Sequence, residues 1–460
     1  MKPIKKIIHR KHRGAALILS MIFVLVFSAL AVGVAAISGT NVQIADNQRK
    51  VNGAFASAES GLEVMRYWLS RVHFPSSTSP TAILSTISTS LQNDLTSNNI
   101  SNISVNYDGS KINIPFVTLA TAENISFAAV LRQLDDDTLQ LDVTGVNRQI
   151  SRTIRVNFDI EPYKFPIFDF GLATKGPLNF NGNPAVRGLN SNREADIYTE
   201  SQNNNIAVLV TGNTNFDGDI RIGDPNANVD FQGDVLIGGD HDQEAIDNHV
   251  FIGVDPPEFP IPDTGRFQQY ATGPVIDSST DTSSHMTLTN TTIQAGTNPF
   301  FGGNVVIEGI LFIESPNIIV FNRNVQIKGM IVGDGDTNNP GTNKMTFVGN
   351  FESGPFPNDA KFDVMRSEAG SSVLTPGFAI SLEGNFATLG GVMAVSGASF
   401  SGNVGAVVKG TIINYSESPT TVEGNATLSF DRANNVEIPG GFDTTRVLEY
   451  VPSSYSEVIL

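Results

Sequence analysis

The sequence has no cysteine and one tryptophan, and only 16% of its 460 residues are charged. Without cysteine no disulfide can staple the fold, and no thiolate can serve as a metal ligand or nucleophile. The compartment stays open, because a chain of this length builds a core without cross-links. Basic residues are scarce too: 29 Lys and Arg stand against 46 Asp and Glu, for a net charge of −17. Six of them, Lys2, Lys5, Lys6, Arg10, Lys11 and Arg13, precede Gly14, and no acid does. The rest is therefore more acidic than the whole. Such a body repels nucleic acid, whose phosphates need clustered Lys and Arg. Neither a G-x-S-x-G elbow nor a phosphate-binding loop occurs. The expectation is a protein that is not an enzyme and uses no cofactor.

Apolar runs of membrane length are lacking save one. Residues 15–37, AALILSMIFVLVFSALAVGVAAI, carry no charge. At about 1.5 Å per residue the run is roughly 35 Å long, enough to cross a bilayer. The basic block before it and the first acid after it, Asp46, place residues 1–14 in the cytoplasm and the body outside. A cleaved signal peptide is the competing reading, but its apolar core is usually about 7–15 residues. Beyond the run, Val51, Ala54, Phe55, Ala58, Leu62, Met65, Leu69 and Val72 keep three- and four-residue spacing. One helix over 15–72 is expected, roughly 85 Å long, with its first half in lipid. Gly53 and Gly61 each count against it by about 1 kcal/mol.

In order, the chain shows Arg13-Gly14, Ala15-Ala16-Leu17, the apolar run, Asn47-Gln48-Arg49 and AFASAESGLE at 54–63. This segment resembles the N-terminus of PilX-type minor pilins and related type IV pilin-like proteins. The resemblance implies that a prepilin peptidase cuts between Gly14 and Ala15. It implies as partners inner-membrane lipid, that peptidase and other pilin-like subunits. Major pilins carry Glu at the fifth mature position, where this chain has Leu19. That Glu helps a subunit join its filament, so the resemblance favours a minor component or assembly factor of a pilus-like or secretion-like filament.

Residues 73–165 read as a small α+β head. A Ser/Thr-rich stretch holds one short helix, and LQLDVTGVNRQISRTIRVNFDI at 139–160 alternates on both sides of GVNRQ, as a hairpin does. From 166 to 450 the composition turns to Gly, Asn and β-branched residues, and a unit recurs: apolar, any residue, Gly, then Asn or Asp. Its glycines are Gly182, Gly218, Gly233, Gly303, Gly349, Gly384, Gly402 and Gly424, with FNRN at Phe321 a degenerate copy. Neighbouring copies stand 15, 18, 20, 22 and 26 residues apart. A unit this short buries its apolar side chains only by stacking on the next. A right-handed parallel β-solenoid is expected, with the glycines at corners because Gly reaches positive φ without strain. Phe231 and Phe400 should point inward, stacked Asn should bond along the axis, and 451–460 reads as a tail. The Pro-rich stretch 255–271 interrupts the repeat as an excursion packed on the solenoid.

FDGDIRIGDPNANVDFQGDVLIGGD, residues 216–240, holds six aspartates. Asp217, Asp219 and Asp224 have ligand-like spacing, but an EF-hand's Gly and Glu are missing. DGDTNN at 334–339 begins like such a loop and then meets Pro340. His241, Asp242, Glu244 and His249 suit neither a metal-binding helix nor a strand pair, and His285 stands alone. No metal site is expected. Two further readings give the solenoid a ligand. One is a surface adhesin binding polysaccharide, the other a tethered carbohydrate-active enzyme, since acid pairs are present.

Overall fold

The computed structural model describes residues 13–101, 103–121, 124–201, 206–337, 342–402, 405–433, 438–442 and 445–458. Most of the basic leader, part of the EF-hand-like stretch and the last two residues lie outside these. The chain forms two compact units, Met1–Tyr163 with Thr445–Leu460, and Lys164–Thr444.

In the first unit one helix, α1, spans Arg13–Leu69. Its C-terminal half buries Ala54, Ala58, Leu62, Met65 and Leu69, the stripe that the spacing predicts. This stripe packs on an antiparallel sheet that includes β1 (Lys111–Ala120), β2 (Ile125–Gln133), β3 (Thr138–Asn147) and β4 (Ile150–Pro162). The two glycines that weaken the helix are contact points. A Cβ on Gly61 would lie 2.6 Å from the Phe127 ring, and one on Gly53 2.1 Å from the Asn147 amide. From the sheet, Gly145 answers them: its Cβ would lie 2.2 Å from the Ala54 carbonyl oxygen and the Ala58 nitrogen. A helix, Ile83–Ser97, adds Ile87, Leu91 and Leu95 to the same core. Asp142 is buried and takes a bidentate pair from Arg155 at 2.7 and 2.9 Å.

The expected tail is a strand. Thr445–Val458 pairs antiparallel with β4, from Arg446 opposite Pro162 to Val458 opposite Thr153. Its alternation is hidden by Pro452-Ser453-Ser454, which reads as a turn. The register slips there, and the Ser454 hydroxyl accepts the Asn157 N–H at 2.7 Å in place of a ladder bond. The solenoid unit accordingly ends at Thr444 rather than 450.

That unit is a parallel β-solenoid with three faces. One face is a nine-stranded sheet. A 19-stranded sheet supplies the other two, because Met286–Ile293, Val305–Ile313 and Val325–Gly333 each run across both. On the nine-stranded face the register lines up Phe231, Val210, Phe180, Val422, Phe400, Leu382, Phe347, Phe321 and Phe301 in one file. Its rings stack where Phe meets Phe: 301 to 321 and 321 to 347 both lie 4.9 Å apart and nearly parallel. Phe400 is fully buried. Phe231 is only half-buried: its strand ends the sheet, and among the described residues no strand pairs beyond it.

The order of that file does not follow the sequence. From Leu172–Thr174 the chain coils outward to Val250–Ile252 at one end. Residues 253–274 then carry it back along the outside. It resumes at Val275–Ile276 at the opposite end and coils inward until its last coil stacks on its first. The seam is closed on all three faces: Ile412–Asn414 on Leu172–Thr174, Thr420–Gly424 on Leu178–Gly182 and Thr427–Phe430 on Ala185–Gly188. The Pro-rich stretch is thus a return strap. Prolines suit it, having no N–H to leave unpaired. Phe259 packs between Tyr198 and Tyr415, from coils on opposite sides of the seam, and the Tyr415 hydroxyl bonds the Pro260 carbonyl.

Glu194 pins the seam. It is buried, and its carboxylate accepts the N–H groups of Asn190 at 2.8 Å and Arg432 at 2.9 Å. Burial pushes its pKa up, but these bonds outweigh burial and hold it below the usual value. Its contribution is therefore complete above the ordinary glutamate range and is lost as pH falls through the lowered value. Glu194→Gln should cost about 1–3 kcal/mol at neutral pH, because an amide nitrogen then faces two donors. Denaturation of both proteins across pH should show the gap closing in acid. A gap that persists there would leave the carboxylate no such role.

Candidate functional site

On α1, every large apolar side chain from Leu17 to Ile44 is at least 52% exposed. Soluble monomers do not bare apolar surface on this scale. The helix is long and apolar enough to cross a membrane, by length and composition. Leu19 is in this exposed run. Gly14 and Ala15 belong to the helical backbone, and their side chains lie outside the described residues. The first charged pair on α1 after the run is Asp46 with Lys50, one helical turn apart.

Seven of the eight expected corner glycines, all but Gly218, lie at one corner, between the nine-stranded face and the next. The physical reason differs from the expected one. Only Gly182, Gly402 and Gly424 have positive φ. The others are required by stacking. A Cβ on Gly233 would lie 1.9 Å from the Gly212 carbonyl oxygen, one on Gly384 2.2 Å from that of Gly349, and one on Gly303 2.3 Å from the Ser284 backbone. Gly218 belongs to a different corner, between Thr214–Phe216 and Ile220–Ile222. Gly212 of VTGN, a further copy of the same pattern, also stands in this file. Asparagines bond along the axis beside them: Asn304 Oδ1 accepts from the Asn324 N–H at 3.3 Å, and Asn324 Oδ1 from that of Asn350 at 3.2 Å.

The acidic stretch is consumed by such bonds. Asp217 accepts the Gly188 N–H, Asp224 that of Asn226, and Asp219 faces His249 Nδ1 at 2.9 Å. His241 faces Asp234 at 3.2 Å. Asp242 and Glu244 begin the short helix Asp242–His249. His285 Nδ1 accepts the Asn304 N–H. His249 also faces Asp240, through Nε2 at 3.5 Å, and among the described residues no group of His and acids is placed to hold a metal ion. Beside them Asp196, buried at the end of its coil, has its pKa raised by desolvation, and it accepts the Asp219 N–H.

Comparison with known proteins matches residues 13–63 to the family model described as PilX N-terminal. No curated protein matches. Among solved structures the chain is similar to the competence-associated pilin ComZ from Thermus thermophilus, at 14% identity and a TM-score of 0.29, over 89% of this chain and 97% of that one.

Proposed function

With its N-terminal segment a PilX-type pilin segment, we propose that the chain is a minor component or assembly factor of a type IV pilus-like filament, non-catalytic, that presents its solenoid outside the cytoplasmic membrane. The observation that carries this reading is one continuous helix, bare and apolar in its first half and packed into a folded head in its second. The first half serves as the single membrane anchor and, after transfer, as the part that lies among other subunits. Positive-inside orientation puts the basic leader in the cytoplasm and the acidic body in the periplasm or beyond. Leu19 supports a minor role: without a carboxylate at this depth the helix rests in lipid at no electrostatic cost, and it offers no bond to a neighbour's terminal amine.

Gly14→Val should abolish cleavage before Ala15, because a branched side chain at the scissile bond blocks the peptidase. Mass spectrometry of the membrane-bound protein decides this. Met1 retained in the wild type, or a start near Ser38, would remove the pilin-like processing. Quantitative proteomics of sheared surface filaments tests the rest. The chain should be scarce beside the bulk subunit, and finding it dominant along the shaft would overturn the minor role.

A further inference from the structure

A groove of 720 Å³ runs along the outside of the solenoid, where the strands ending at Gly354, Gly390 and Lys409 turn into the next face. The volume is within the roughly 300–1,000 Å³ of small-ligand sites. Its floor has an unexplained feature. Along the outward row the register gives Glu308, Lys328, Gly354, then Gly390 and Lys409. Long charged side chains stand on either side of a two-residue gap. Gly391 and Gly410, at the same corner, are forced, since a Cβ on either would lie 2.3 Å from a stacked carbonyl oxygen. Gly354 and Gly390 are not. A Cβ on Gly354 would meet nothing within 4 Å, and the nearest atom to one on Gly390 is 3.4 Å away. Neither has positive φ. Glycine in a strand weakens it and marks a bulge, a tight bend or a place that another molecule approaches closely; here the strands do bend into the next face, and the open space above both glycines leaves room for a ligand as well.

Glu352 lies two residues before Gly354 on the same strand, hence on the same outward face, and is exposed. Lys409 borders the gap on the other side. Phe168 adds a half-buried ring to the wall, and Asp169 and Lys164 lie beside it. The charges are mixed, so neither a polyanion nor a polycation is favoured. A peptide could not add itself as a strand, because Phe351–Gly354 is paired on both sides. Carboxylate and ammonium groups over a bare floor, with an aromatic ring at the wall, suit a neutral ligand rich in hydroxyls and with a flat C–H face.

We propose that this groove binds a neutral oligosaccharide seated over Gly354 and Gly390, with Glu352 accepting from its hydroxyls and Lys409 donating to them. The inference concerns the solenoid alone and stands apart from the filament reading. The test is calorimetric titration of the full chain in a detergent without a sugar headgroup, using cellohexaose, maltohexaose, β-1,4-mannohexaose and, for contrast, hexagalacturonate. At least one neutral hexaose should bind saturably. Gly354→Gln, which fills the floor, and Glu352→Ala should each weaken it about tenfold or more. Gln232→Ala, at a remote coil, should not. Thermal unfolding confirms that each variant is folded, and exposed Glu352 keeps the test sound if Gly354→Gln is not. Binding of none of the neutral sugars, preference for hexagalacturonate, or affinity indifferent to the folded groove variants would overturn the proposal.

Discussion

Gly145→Val should lift α1 from the head sheet. The new side chain would start 2.2 Å from two backbone atoms of the helix, Ala54 O and Ala58 N, which have no rotamer to move aside. Overpacking of this kind costs about 3 kcal/mol at the upper end of the usual range. Gly61→Val should do less, because its obstacle is the Phe127 side chain, which can shift. The single tryptophan makes the comparison clean. Trp68 is buried in the head core, so its fluorescence follows that unit and not the solenoid. Denaturation of the full chain in detergent should show the Trp68 transition moving to lower denaturant for both, and farther for Gly145→Val. Equal or negligible shifts would mean that the helix does not rest on the glycine contact.

Phe321→Ala should cost the solenoid about 3–5 kcal/mol, the usual range for a buried aromatic ring. Its ring is sandwiched between Phe301 and Phe347 at 4.9 Å on each side, so truncation leaves a cavity bounded by two coils that are held apart by their own ladders. Phe231→Ala removes the same atoms from the half-buried end of the file and should cost clearly less. Amide hydrogen exchange of the solenoid's strands in the full chain, followed through denaturant, reads both. Equal losses would show that the coils collapse around the gap and that the file does not act as a stack.

Much of this was legible because the periods are strict. The stripe from Ala54 to Leu69 obeys helical spacing, and the head hairpin alternates without interruption. The corner unit locates seven of the nine positions at its corner because close stacking or a positive φ favours glycine at each of them, while Arg323 shows that one coil accepts a side chain there. What stayed hidden has physical causes. Phe216 and Phe231 look like successive copies 15 residues apart, yet they belong to different corners of the winding. An apolar-x-Gly-Asp unit states that a turn occurs, not which turn. The winding order was out of reach, since every coil offers its neighbours the same apolar file and backbone ladder. Only particular contacts, such as Glu194 with the Arg432 N–H, specify which coil meets which. The groove glycines were invisible for the opposite reason: among 42 glycines nothing in the sequence separates a forced one from a free one.

The inverted winding bears on how the molecule comes into being. The strand Leu172–Thr174 emerges early, but one of its edges waits for Ile412–Asn414, some 240 residues later. The head waits longer still, for Thr445–Val458 to take its place beside β4. Closing such long loops is slow, and until then both units expose unpaired strand edges, the state in which chains are recognised as unfinished. A polypeptide cut short anywhere before Thr445 would leave the head and, for most stopping points, the solenoid open together. The strand Thr445–Val458 therefore closes the head only after every coil of the solenoid has been made.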